Sequence, residues 1–143
     1  MMEITSKFFG VTPVHPDTIV SMIQPIYGFE DARNYTIITD QEIGNSILWF
    51  QSIEQTETCF ILANPEAFAL KTPVSLSSDV LDLFQVSSIE DLDFAYIVNI
   101  KDSLETATVN LKSPIVFNPA TKKAAQIILN EDLPLRERLT VPC

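Results

Sequence analysis

The sequence predicts a mainly β fold, a small antiparallel β-barrel-like single domain over residues 1–143 with one or two short helices. Three observations predict it. The apolar segments are short and rich in aromatic or β-branched residues, as strands are. Helical spacing is confined to the middle of the chain. So many short strands avoid exposed edges most simply by closing on themselves. A length of 143 residues suits one domain, and 46% hydrophobic residues are enough apolar material to offset the entropy of ordering the backbone.

Only three glycines, Gly10, Gly28 and Gly44, stand against nine prolines, so turns are marked chiefly by Pro, Asn, Asp and Ser. Between these marks, residues 7–9, 35–38, 47–53, 59–63 and 94–100 each read as a β-strand. Ser77-Ser78-Asp79 is read as the cap of a short helix, because Val80, Leu83 and Phe84 then share one face. Ser87 with Glu90 three residues later resembles a capping box for another single turn. Further on, Ala107, Val109 and Leu111 alternate with Thr108 and Asn110, the pattern of a strand with one buried face. Residues 115–117 and 124–129 are two further strands, and the polar, basic run 118–123 suits an exposed hairpin tip between them. The stretch 131–143, rich in Pro and charge, is expected to be loosely held.

Charge narrows the function. Nine Lys plus Arg against nineteen Asp plus Glu give a net charge of -10 and a pI near 4.3, which repels phosphate backbones and anionic headgroups. Direct binding to nucleic acid or a membrane is not expected. No apolar run approaches the roughly 20 residues of a membrane span, and the start, Met1-Met2-Glu3-Ile4-Thr5, lacks the pattern of a signal peptide. A cytoplasmic protein is expected. Cys59 reads as a small core residue and Cys143 as a terminal thiol, with no disulfide framework between them.

Catalytic and cofactor chemistry find little support. The single histidine, His15, sits in the turn context Val14-His15-Pro16-Asp17, where it reads as solvated. Spacing alone leaves open a triad assembled in space, but no serine lies in a G-x-S-x-G elbow. One His and two distant Cys make no zinc set, Glu90-Asp91-Leu92-Asp93 lacks the spacing of a calcium loop, and three scattered glycines cannot cradle a phosphate. No catalytic residue, metal or cofactor is therefore assigned. The job that fits is binding another protein through apolar anchors with an acidic rim, and a basic partner is the natural guess. Two other readings stay open: a small-molecule-binding β-barrel or unrecognised hydrolase with a pocket at the barrel mouth, and a subunit that only forms an oligomer. A barrel filled by its own Phe and Leu side chains would argue against the pocket. A monomer is expected, because no long amphipathic seam is visible.

Several blocks resemble a known family. They are Thr5-Ser6-Lys7-Phe8-Phe9-Gly10, Tyr27-Gly28-Phe29-Glu30-Asp31, Leu48-Trp49-Phe50-Gln51-Ser52 and Phe60-Ile61-Leu62-Ala63-Asn64-Pro65. The most specific is Val109-Asn110-Leu111-Lys112-Ser113-Pro114-Ile115-Val116-Phe117-Asn118, with Gln126-Ile127-Ile128-Leu129 behind it. Together they are similar to FliW, the bacterial flagellar assembly factor. The resemblance implies a non-enzymatic β-barrel-like protein of the cytoplasm. It would bind flagellin and, when flagellin is scarce, the RNA-binding translational regulator CsrA, relieving repression of flagellin synthesis. Two mutually exclusive ligands on one module make a titration switch.

Within these blocks Tyr27, Gly28, Phe29 and Glu30 are the first candidates for partner contact. A glycine turn followed by a large apolar residue and a carboxylate offers an anchor beside a charge. Asn110 and Asn118 are further candidates, with the alternative that their side chains satisfy backbone groups at turns. Trp49 is expected in the core. The run Gln24-Pro25-Ile26-Tyr27-Gly28 departs from the family's glycine and proline just before the Gly-Phe pair, and Ile26 and Tyr27 are expected to add apolar surface there.

Overall fold

Period-two alternation of apolar side chains gives each strand an inner and an outer face, and the chain closes those faces into a ring. A computed structural model describes residues 2–68, 70–100 and 106–139. Its strands are β1 (Met2–Ser6), β2 (Gly10–Val14), β3 (Val20–Gln24), β4 (Asn34–Asp40), β5 (Gly44–Ser52) and β6 (Cys59–Ala63), then β7 (Asp93–Asn99), β8 (Thr108–Val109), β9 (Ile115–Asn118), β10 (Lys123–Gln126) and β11 (Glu137–Arg138). The hairpin β1–β2 forms its own two-stranded sheet. Strands β3 to β7 pair in sequence, β10 joins β3 in parallel, and β9 joins β10. Pairing of β7 with β9, Asp93 opposite Phe117 and Ala95 opposite Ile115, then closes a barrel of seven strands. Every pairing in it except β3 with β10 is antiparallel. The far end of the same β7 edge carries β8, which in turn carries β11.

The barrel is filled by Val20, Met22, Tyr35, Phe50, Leu62, Ala95, Ile115 and Ala124. Tyr35 stacks on Phe50 with centroids 4.2 Å apart, and Phe117 meets Phe50 edge-on at 5.6 Å. Alternate residues face outward and are covered. The helix α1 (Ser78–Leu83) leads into Phe84, which with Leu92 packs on Val116, Ala125, Ile127 and Leu129. Phe68, in the 3-10 turn Pro65–Phe68, packs on Ala63, Tyr96, Val98 and Val109. As the sequence implies, Ser77 caps α1, its Oγ accepting the Val80 N–H at 3.3 Å.

Several expectations are corrected. Residues 7–9 are the turn of the first hairpin and not a strand: Ser6 Oγ accepts the Phe9 N–H, Gly10 takes φ +67, and the Lys7 N–H is held by Gln51 Oε1 at 2.9 Å. The second cap is Ser88, not Ser87, because Ser88 Oγ takes the Glu90 N–H. Trp49 is half-buried on the outer side of β5 beneath Phe9, which meets it edge-on at 5.2 Å, while its neighbour Phe50 fills the interior. Strand β10 stops at Gln126; beyond it the Ile127 N–H bonds Pro114, which has no N–H to return and so cannot continue the ladder. The strand expected over residues 107–111 shortens to two residues, since the Asn110 side chain turns the chain. Part of the stretch expected to be loose is paired, through β11 and the Leu139 N–H on Ala107. Cys143 lies outside the described residues.

Candidate functional site

One end of the barrel is closed by the nine residues 25–33, which link β3 to β4. Ile26 and Ala32 drop into the barrel and join its interior cluster, 2% and 0% exposed. Between them the chain must reverse within a few residues. The Phe29 N–H bonds the Ile26 carbonyl at 2.8 Å, and Gly28, third in that turn, takes φ +88, a left-handed conformation that strains a residue with a side chain. Glu30 Oε1 accepts the Gly28 N–H at 3.3 Å, the Ala32 N–H bonds Phe29, and Gln126 Oε1 on β10 accepts the Tyr27 N–H at 3.3 Å. Phe29 lies edge-on against Phe60, centroids 4.9 Å apart.

The result is a fixed loop that presents its aromatic residues outward. Tyr27 is 89% exposed and Phe29 39%. Two residues beyond Gln126 and on the same side of that extended segment, Ile128 is also exposed. Four exposed carboxylates lie at the same end, Glu30 and Asp31 in the loop and Glu54 and Glu57 in the turn from β5 to β6. Glu54 also braces the loop, accepting the Arg33 and Asn34 N–H groups and Asn34 Nδ2, the last at 2.7 Å. Partial burial alone would raise its pKa, but the hydrogen bonds from Asn34 and Arg33 outweigh it and hold the carboxyl below its usual range.

The structure thus brings Tyr27, Gly28, Phe29 and Glu30 to one surface and places the two asparagines elsewhere. Asn118 is 3% exposed at the opposite end of the barrel, its Nδ2 donating to the Phe84 carbonyl at 2.8 Å and its Oδ1 accepting the Ala120 N–H. Asn110 Oδ1 accepts the Lys112 and Ser113 N–H groups. Both side chains build turns. Glu54, Gln126 and Ile128 escaped the sequence reading, although the alternation of exposed Ile128 with buried Ile127 and Leu129 is a signal that strand parity would have exposed.

His15 is exposed, with its Nδ1 accepting the Asp17 N–H. Burial pushes the Cys59 thiol up to about 11, against a smaller pull from Lys7, the reverse of an activated nucleophile. Among the described residues no group of three or more His, Cys, Asp or Glu could hold a metal, and no helix is long and apolar enough to cross a membrane. At the other end of the barrel a cavity of about 730 Å³ opens to solvent.

The pattern of the family described as FliW protein matches residues 3–139. The chain belongs to the FliW family. The flagellar assembly factor FliW of Thermoanaerobacter pseudethanolicus is 34% identical to it over 131 residues, 92% of this chain and 87% of the relative. That of Syntrophus aciditrophicus is 32% identical over 136 residues, covering 94% and 85%. A crystal structure of the flagellar assembly factor FliW matches with a TM-score of 0.87 at 25% identity, over 99% of both chains. The barrel, the closing loop and the covered outer faces are therefore those of a FliW fold, in a family named for assembly and not for an enzymatic reaction.

Proposed function

We propose that this FliW-family protein is a non-enzymatic, cytoplasmic regulator that binds flagellin and, in its place, the translational repressor CsrA, so that flagellin level sets flagellin translation. The observation that carries this reading is Tyr27, a large aromatic residue 89% exposed on a loop whose backbone is pinned at both flanks. Interface hot spots favour such a residue, because a rigid aromatic loses little entropy on burial and gains much contact. Phe29 and Ile128 widen the apolar patch, and Glu30, Asp31, Glu54 and Glu57 give it an acidic rim. A protein that grips RNA phosphates must be basic, and a net charge of -10 steers such a partner in without competing for its RNA.

The test is a competition pull-down. Immobilised protein should retain flagellin and CsrA separately, release one as the other is added, and lose CsrA more readily as salt rises. Retention of neither at low salt refutes the reading.

A further inference from the structure

The open mouth, at the opposite end from Tyr27, has its own chemistry. One part of its wall is made of strand residues that face the barrel interior, Val20, Ile37, Leu48, Ala95 and Phe117, and another of Leu70, Pro73, Ile89 and Leu92 from the connection between β6 and β7. Ile37 stays 37% exposed although it stands two residues after the fully buried Tyr35 on the same face of β4. Charges of both signs stand on the rim. Glu66 follows β6, Glu90 stands in the 3-10 turn Ile89–Asp91 before β7, and Asp93 opens β7. Lys122 ends the turn between β9 and β10, and Lys123 opens β10.

Neither lysine is ion-paired among the described residues. The backbone of Lys122 is fixed on both sides, its N–H on the Asn118 carbonyl at 2.8 Å and its carbonyl accepting the Ser21 N–H at 3.0 Å. It holds φ +58, a conformation uncommon outside glycine, asparagine and aspartate.

We infer that this mouth docks an amphipathic peptide segment of a partner protein. Its apolar face would lie on Ile37, Leu48 and Phe117, with a basic side chain toward Glu66, Glu90 and Asp93 and an acidic one toward Lys122 and Lys123. Three considerations select that occupant. Small-molecule sites bury most of the ligand surface, whereas a mouth open to solvent leaves one side of a small ligand wet; a peptide needs to bury only one face. Rim charges of opposite sign in different sectors match a segment carrying both and fix its direction, which a uniformly charged ligand does not exploit. A net charge of -10 opposes a second copy of this chain and any free anion. The inference is independent of what occupies the Tyr27 end.

The experiment titrates isotope-labelled full-length protein with a panel of synthetic peptides of about 15 residues. Each carries leucines at helical spacing, with Lys near one end and Glu near the other at varied separations. At least one peptide should shift the amides of Ile37, Leu48, Phe117 and Lys122. Its affinity should fall about tenfold or more in Ile37→Asp and in the double variant Lys122→Glu/Lys123→Glu, and stay unchanged in Val11→Ser on the distant hairpin. The lysine pair is exposed, so that variant folds even if Ile37→Asp does not. The inference is overturned if no peptide binds, if binding ignores the lysine reversal, if peptides with a scrambled leucine pattern bind equally, or if the shifts fall around Tyr27. Laurate shifting the mouth amides where every peptide fails would overturn it too, and would assign the cavity to a small amphiphile.

Discussion

Tyr27 and Phe29 sit two residues apart, yet truncating them should do different things. Tyr27 is 89% exposed and its side chain buries little in the free protein. Tyr27→Ala leaves the backbone bond to Gln126 in place, so the urea midpoint should correspond to a change within about 0.5 kcal/mol. Phe29 is only 39% exposed and lies edge-on against Phe60 at 4.9 Å. Losing the buried three-fifths of the residue costs roughly 1–2 kcal/mol, and the aromatic pair about 0.5–1.5 more, so Phe29→Ala should cost about 1.5–3.5 kcal/mol of stability. If the loop is the partner surface, Tyr27→Ala should also weaken flagellin or CsrA binding by about 1–2 kcal/mol, roughly 5- to 30-fold in Kd by calorimetry. Partner affinities within twofold of the parent, with stability unchanged, would remove Tyr27 as an anchor. A large loss of stability in Tyr27→Ala would show instead that the ring packs.

Other positions give independent checks. The Tyr35 hydroxyl is buried without a hydrogen-bond partner, and burial holds its pKa far above the usual value, so Tyr35→Phe, which keeps the stack on Phe50, should leave stability unchanged or raise it by up to about 1 kcal/mol in urea unfolding. Asn118→Ala removes two hydrogen bonds and orphans the buried Phe84 carbonyl, and should cost about 2–4 kcal/mol by the same measurement; a loss under about 0.5 kcal/mol would contradict the geometry. Glu54 has a folded pKa below its ordinary 4.5, so its stabilising contribution is present at neutral pH and lost as pH falls through that lowered value. Stability of Glu54→Gln should therefore decline less steeply than the parent's below about pH 5, and an identical acid limb would refute the bracing role.

The middle strands were legible because β4 to β7 concentrate aromatic and β-branched residues between clear turns, a local property. Strands β1 to β3 were not. Met2–Ser6 alternates but has only Ile4 as a β-branched aliphatic residue, and Gly10–Val14 contains a glycine and Pro13, both depleted in strands. Two phenylalanines made residues 7–9 look like a strand, while the features that decide the turn are the small Ser6 and Gly10 on either side. At the candidate site the Gly28 turn could be read locally. That Ile26 and Ala32 plug the barrel could not, since it depends on strands far away in sequence. Nor could the open mouth, because it reflects barrel register: Ile37 shares a face of β4 with Tyr35, yet Tyr35 is fully buried and Ile37 is 37% exposed at the cavity.

The two ends of the barrel bear on how two partners could exclude one another. Strand β4 runs from Asn34, braced by Glu54 beside the closing loop, through Tyr35 in the core, to Ile37 at the mouth. A signal travelling along it would have to move a stacked Tyr35–Phe50 pair inside a ring closed by hydrogen bonds all the way round. Such a close-packed interior resists continuous deformation. Exclusion by overlap at the Tyr27 surface needs no such movement, since a fixed loop that carries both the aromatic residues and the acidic rim can be covered by one macromolecule at a time. Overlap predicts that Tyr27→Ala weakens both partners, and that reversing the charge of Lys122 and Lys123 at the mouth leaves their competition intact. Coupling through the barrel predicts the opposite on the second count, so the lysine variant in a competition binding assay separates the two.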